Sequence, residues 1–356
     1  MYYNQINGIR FIAVIFVIFH HTIGNEIEKI FNFGFFGVNL FFVLSGFLIS
    51  EKLILEKLKG TSHKVIIKNF FTRRLLRIFP LYFLYLIICY IIVPNEFSHY
   101  TFWLITFSTN FWITLNNELT FWYLTHLWSI ALEEQFYLFW PFIIIFIPIR
   151  KLIYFFLVVI CFAVIFRWYS TLHFNNFKLY NYTMLHTNLD SLGIGALLAY
   201  FKQFNIKLLY KILNNKTFFI LILIILLLNY KLDNLLSKEI FNKLLVAILS
   251  FYIIGKASLN IFSSFLKKFL QNKIIEYLGK ISFGIYIYHI LVWGEFGPKI
   301  ISIWNTIMND DTNSLTRKLI VFTSVSLFTF LIASFSFEFF EKKFLVYKNK
   351  FTVNNN

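Results

Sequence analysis

Long stretches with almost no charge dominate this chain. Apolar runs lie at roughly 9–24, 34–50, 77–94, 121–148, 152–169, 188–201, 217–230, 241–256, 280–297 and 318–340. A helix that crosses a bilayer needs about 20 apolar residues, fewer where neighbouring helices shield it. The runs therefore predict an all-α, polytopic membrane helix bundle of about ten transmembrane helices. The run 188–201 is short and contains glycine, and 99–115 reads as a re-entrant or interfacial helix. Composition excludes a water-soluble fold. Hydrophobic residues make up 58% of the chain and charged residues 14%, against about 25% charged in a soluble one. The two cysteines, Cys89 and Cys161, sit inside apolar runs, which excludes a disulfide framework or a cysteine-built zinc cluster; no metal is expected. The first run lacks a basic leader and a small-residue cleavage site, so no cleaved signal peptide is expected.

The net charge of +16 has to be set against membrane topology before it is read as affinity for nucleic acid. Let the N-terminus lie in the cytoplasm and the helices alternate. Arg10 and the inner segments 51–77, 149–151, 202–216, 256–280 and 342–350 then hold 24 of the 33 Lys and Arg, and the outer segments hold 9. Basic residues stay on the cytoplasmic side. Both termini are expected there, in a multi-pass protein of the cytoplasmic (inner) membrane, with basic faces against anionic lipid. No base-reading module is present, so nucleic acid is not an expected partner. Residues 1–345 read as one membrane domain, and 346–356 as a short disordered cytoplasmic tail.

Ionisable groups inside apolar helices are costly and point to function by default. The first run carries Arg10, His20 and His21. Eleven residues of helix put Arg10 and His21 on one face within ~20° and ~16 Å apart along the axis, with His20 turned ~80° away. That layout suits an anionic head held at the cytoplasmic entrance and a reactive end held deeper. A neutral imidazole can take a hydroxyl proton, so His21 is a general-base candidate. The plainer reading is a histidine packed against a neighbouring helix, which suits His20 better.

The fourth helix, His126 to Tyr137, carries adjacent carboxylates. Glu133 has Ser129 at i−4, Tyr137 at i+4 and His126 one turn further back, whereas Glu134 has Ile130 and Leu138. Glu133 therefore lies on a polar stripe, where it orients an imidazolium, acts as the base itself, or pairs with a cation from another helix. Arg74 and Arg77, at i,i+3 near the start of the third helix, project to one side. They read as phosphate-binding forks or as basic topology anchors. No Walker loop or Rossmann glycine fingerprint accompanies them. Asp190 opens the short glycine-containing helix, as an N-cap or as a group aimed into a cavity. Tyr286 and His289, at i,i+3, wall the same cavity or pack. Gly37, Ser45 and Gly46 read as close-packing positions, and Ser45 lies in no G-x-S-x-G elbow.

Five ordered blocks resemble the acyltransferase-3 family of membrane O-acyltransferases. Asn7-Gly8-Ile9-Arg10, with ten residues on to His21, is similar to the D-G-L-R opening and R-x10-H motif. Gly37 to Phe47 resembles G-V-D-L-F-F-V-L-S-G-F. Arg73 to Pro80 resembles the R-x-x-R segment, His126 to Tyr137 resembles H-L-W-S-L-S-V-E-E-Q-F-Y, and Leu278 to His289 resembles the ninth-helix block. Asn39 departs from the usual Asp, Asn188 stands where an Arg often precedes the Asp190 motif, and Glu341-Lys342-Lys343 lacks the usual Pro. No appended extracytoplasmic domain is expected after the last helix, a layout similar to the stand-alone form.

The resemblance implies transfer of an acyl group, most often acetyl, from cytoplasmic acyl-CoA to a sugar hydroxyl. Acetyl-CoA would be the donor substrate. A surface polysaccharide, O-antigen or lipid-linked glycan would be the acceptor. It implies His21 as catalytic base or acyl relay and Glu133 as its partner, with Arg10, Arg74 and Arg77 on the CoA phosphates. Ser129, Tyr137, Asp190 and His289 are the candidate pocket residues. The competing class is a proton-coupled transporter or flippase of a glycan or small solute, which buried His, Glu and Arg also suit; the inverted repeats such proteins often show are not found.

Overall fold

A computed structural model of the chain describes residues 3–23, 32–120, 122–231, 235–308 and 314–348. Every regular element among them is helical. In chain order these are α1 (Asn4–Ile23), α2 (Phe33–Leu58), α3 (His63–Ile92), α4 (Pro94–Ile105), α5 (Thr109–Asn116), a 3-10 turn (Trp122–Leu124), α6 (Leu127–Phe146), α7 (Ile149–His173), α8 (Phe177–Thr183) and α9 (Leu189–Phe204). They continue as α10 (Ile206–Asn214), α11 (Lys216–Lys231), α12 (Leu235–Leu259), α13 (Ser264–Leu270), α14 (Lys273–Lys280), α15 (Ser282–Met308) and α16 (Leu315–Ser336). A π-helical turn (Phe337–Glu341) then leads into α17 (Lys342–Lys348).

Seven helical stretches among the described residues are long and apolar enough to cross a membrane: Asn4–Ile23, Phe33–Leu58, His63–Ile92, Trp122–Phe146, Ile149–His173, Ser237–Leu259 and Leu315–Tyr347. An eighth forms if Ile206–Asn214 and Lys216–Asn229, bent by 63°, are one crossing. The expected ten also counted α9, which has only 16 residues, and α15, whose second half carries Glu295 and Lys299. Apolar side chains cover the outside of the bundle: Ile91, Tyr154 and Leu331 are 72%, 68% and 66% exposed. That surface is a lipid-facing one.

The segment 51–77, expected as a basic inner loop, is two helices joined by the short link at 59–62. α3 begins at His63, fourteen residues before the expected 77, so Arg73, Arg74 and Arg77 lie inside a 30-residue helix. Lys, Arg and His do not break a helix, and the link at Gly60 does, with its φ of 71°. The re-entrant region 99–115 is the pair α4 and α5, broken around Phe107, which has a φ of 51°. Phe121, inside the expected fourth helix, lies outside the described residues. After it come a 3-10 turn and then α6, so His126 caps α6 rather than lying within it. Residues 346–348 finish α17, and the rest of the expected tail, 349–356, lies outside the described residues.

The short α9 is held by backbone contact. A Cβ on Gly195 would lie 2.1 Å from Val43 O, and one on Gly46 would lie 2.0 Å from Leu192 O. With no hydrophobic drive between helices in lipid, such close approach supplies the packing. Two buried ion pairs add cross-links: Arg73 to Glu56 at 2.9 Å and Arg167 to Asp190 at 2.6 Å. Lys57 Nζ donates to the carbonyls of Ile144, Ile145 and Ile147 and closes the end of α6.

Candidate active site

A cavity of about 380 Å³ opens between α1, α2, α3, α6 and α15. Its α2 wall runs from Val38 to Leu55, ~25 Å of helix, so it is a shaft rather than a dent. By helix register its mouth carries Tyr3, Glu51, Lys52 and Arg73. Its middle carries Arg10, Ser45, Arg74, Arg77, Glu133 and Tyr137, and its far end Val38, Ser129 and Tyr286. The mouth is tied by Tyr3, which precedes α1, to α2 and α9. Tyr3 Oη donates to both Glu51 oxygens at 2.8 and 2.9 Å. Lys202 Nζ lies 2.9 Å from Glu51 and 4.2 Å from the centre of the Tyr3 ring.

In the middle of the shaft Glu133 accepts from Ser45 Oγ and from Tyr137 Oη, each at 2.7 Å. The Arg74 guanidinium lies over the Tyr137 ring, 4.7 Å from its centre. Arg73 is neutralised by Glu56. Arg10, Arg74 and Arg77 have no carboxylate within 4.0 Å among the described residues. Three guanidinium groups therefore share the shaft with one central carboxylate. The excess positive charge, in a site shielded from bulk water, favours an anion carrying several charges. Glu134 is absent from the shaft wall, and its Oε1 is buried without a hydrogen-bond partner among the described residues.

Beyond the far end lies a cluster of imidazoles. The ring centroids of His21 and His289 are 5.2 Å apart, as are those of His126 and His289. Tyr286 touches both His126 and His289, with centroids at 5.5 and 5.4 Å. The partners fix two tautomers. His126 Nε2 lies 3.1 Å from Ile287 O, and His289 Nδ1 is bonded to Tyr286 O. A carbonyl only accepts, so those nitrogens carry the protons. His126 Nδ1 and His289 Nε2 are left as bare acceptors, buried and without a hydrogen-bond partner among the described residues. Among the described residues no group of three His, Cys, Asp or Glu is arranged to hold a metal ion.

The structure thus brings Arg10, Arg74, Arg77, Ser129, Glu133 and Tyr137 to one cavity. It places His21 and His289 behind the cavity rather than on its wall. No hydrogen bond joins Glu133 to His21. His126 stands at the opposite end of the polar stripe from Tyr137, so the stripe spans shaft and cluster. His21 is half-buried beside Trp122, at 6.3 Å between ring centroids, and His20 packs on Gly34, where a Cβ would lie 2.5 Å from the His20 ring. Asp190 lines neither site. Asn188 holds the N-cap position of α9, Asp190 sits in the first turn, and its carboxylate is spent on Arg167. The two have no exposed side-chain surface. Sequence reasoning missed Ser45, read as a packing residue, although its place on the α2 face next to Phe41 and Phe42 is that of the shaft wall. Lys52 and the Tyr3–Glu51–Lys202 clasp carry no sequence signal.

A membrane helical bundle with a cation-rich shaft ending at an imidazole cluster is the class of protein that the fold and site define. A family model described as "Acyltransferase domain" matches residues 3–339, so the chain belongs to that acyltransferase family. It is similar to the O-acetyltransferase OatA of Staphylococcus aureus (strain NCTC 8325 / PS 47), 28% identical over 322 residues, which are 81% of this chain and 50% of the relative. It is also similar to the peptidoglycan O-acetyltransferase OatA of Listeria monocytogenes serovar 1/2a (strain ATCC BAA-679 / EGD-e), 33% identical over 165 residues, 41% of this chain and 25% of that protein. The chain spans about half the length of the curated relatives it matches. No solved structure matches.

Proposed function

We propose that this protein transfers an acyl group, acetyl foremost, from acyl-CoA to a hydroxyl of a cell-envelope glycan. The three guanidinium groups in one shaft that have no ion-pair partner among the described residues carry the reading, because the phosphates of a coenzyme A donor supply the charge they lack. The lysine and arginine bias supports a shaft mouth on the cytoplasmic side, where acyl-CoA is made, with both termini there too. The peptidoglycan named for the Listeria relative supports a glycan acceptor, lipid-linked or polymeric, reached from the opposite side. His21 beside Trp122 lies at that end.

In the reaction the acceptor oxygen attacks the thioester carbonyl. A C–O bond forms and the C–S bond breaks. His21 takes the hydroxyl proton, and the leaving thiolate is protonated in turn. Glu133 keeps the Ser45 and Tyr137 hydroxyls oriented along the shaft rather than acting on His21 directly. The test compares His21→Ala with His20→Ala in whole cells, measuring acyl mass on envelope glycans and the level of the protein in the membrane. His21→Ala is expected to abolish acylation at normal protein level, and His20→Ala to retain much of it. Equal loss in both would refute the assignment of His21. Failure of coenzyme A to compete for acyl-CoA binding in detergent would refute the donor.

A further inference from the structure

Tyr286 is the residue where shaft and imidazole cluster meet. Its side chain lines the shaft, and its ring contacts His126 and His289, neither of which lines it. The phenol is held firmly. Its hydroxyl lies 2.6 Å from Ser129 Oγ, and both hydroxyls reach the His126 carbonyl at 3.1 Å. The backbone carbonyl of Tyr286 also fixes the His289 tautomer. On the other flank the ring meets Phe41, another shaft residue, at 6.2 Å between centroids. The Tyr286 ring, hydrogen-bonded at its tip, therefore stands with Val38 and Phe41 at the end of the shaft, between it and His289 and, behind that, His21.

We propose that Tyr286, latched by Ser129, is the septum at the end of the donor shaft and sets the length of acyl group that the protein accepts. This rests on the reading of the shaft as the thioester site. With the anionic head among Arg10, Arg74 and Arg77, the acyl end points toward Tyr286. The carbonyl of an acetyl group comes up to the edge of the ring, where it meets the acceptor hydroxyl arriving from the His21 side, and each added methylene presses on the ring. In a close-packed site that cannot yield, extra methylenes are rejected rather than absorbed. The two bare nitrogens, His126 Nδ1 and His289 Nε2, lie on the far side. Shortening the septum joins their space to the shaft.

The experiment uses the full chain in detergent. Acetyl-, propionyl-, butyryl- and hexanoyl-CoA compete for binding, and the same donors are scored by the acyl mass transferred to envelope glycan in membranes. The variants are Tyr286→Phe, Tyr286→Ala and Ser129→Ala. The wild type is expected to prefer acetyl. Tyr286→Ala is expected to move the butyryl-to-acetyl ratio by roughly 15-fold, about fourfold per methylene that gains apolar surroundings. Tyr286→Phe and Ser129→Ala, which keep the ring and remove the latch, are expected to shift it in the same direction by less. An unchanged ratio in the folded Phe and Ser129 variants overturns the septum, whether or not the Ala variant folds. A wild type that binds no acyl-CoA of any length overturns the donor reading instead, so the two failures are separable.

Discussion

Replacing Asp190 with Asn should destabilise the protein severely, by charge rather than by shape. Asn has nearly the volume of Asp, and it can still accept from the Ser191 amide, which Asp190 Oδ1 does at 2.9 Å. What is lost is the negative charge 2.6 Å from Arg167 Nη2, with both side chains fully buried. Arg167 keeps its bonds to Thr187 O and Ile240 O, so the guanidinium stays hydrogen-bonded but loses its direct carboxylate, with the more distant Glu239 as the remaining negative charge. Lys243, whose ammonium is also buried and feels the same Asp190 charge, is left beside it. Breaking a buried pair by removing one partner costs about 3–5 kcal/mol. The surviving carbonyl bonds put this case near the lower figure, about a 150-fold fall in the folded-to-unfolded ratio. Thermal unfolding in detergent and protein level in the membrane measure it. Arg167→Met alone and the double variant complete a cycle, with an expected coupling of about 2 kcal/mol or more. A coupling near zero would refute the ion-pair account. So would an Asp190→Asn protein of wild-type stability that loses only its activity, which would return Asp190 to the list of substrate contacts.

The arginines of α3 should separate by role. Arg74→Ala and Arg77→Ala are expected to weaken acyl-CoA binding, each losing charge-assisted bonds of about 1.5–3 kcal/mol, with little loss of stability. Arg73→Ala should instead destabilise by leaving Glu56 buried and unpaired, and unchanged affinity in both of the first two would reduce them to topology anchors. Gly195→Ala places a methyl 2.1 Å from Val43 O and should sharply lower the folded protein recovered from membranes; a normal yield would show that α2 and α9 separate freely. Burial, with Lys243 nearby, pushes the His186 imidazole down to about 4, and Tyr180 Oη lies 2.8 Å from its Nε2. The unfolded chain takes up a proton below about 6.5 that the folded one resists, so stability present at neutral pH is lost as pH falls toward 4, by about 1–2 kcal/mol after solvent screening. His186→Gln should flatten that slope between pH 6.5 and 4, and an identical slope would refute the assignment.

Helix periodicity made the angles legible and left the neighbours hidden. The face argument separated Glu133 from Glu134, and only Glu133 reaches the shaft. It could not separate Tyr286 from His289, three residues apart on α15, because their roles depend on where α6 and α1 stand relative to that helix. Asp190 shows the same limit. Its partner Arg167 lies 23 residues back on α7, and no spacing rule joins two buried charges through a turn and a short helix. The segment 51–77 was misjudged for a different reason. Charge was taken to mean loop, yet lysine and arginine form good helix, and α2 and α3 project past their apolar parts to carry Lys52 and Arg73 to the shaft mouth and Arg74 to its middle. Arg10 and His21 illustrate both sides at once. Their shared face and ~16 Å separation follow from helix geometry. The ring closing the shaft below His289 comes from α15, more than 260 residues along the chain, so nothing in the local pattern of α1 could have placed it there. A charge lined up with a base along one helix is therefore a statement about direction. Whether the path between them is open is decided by side chains from other helices, and here that side chain is Tyr286.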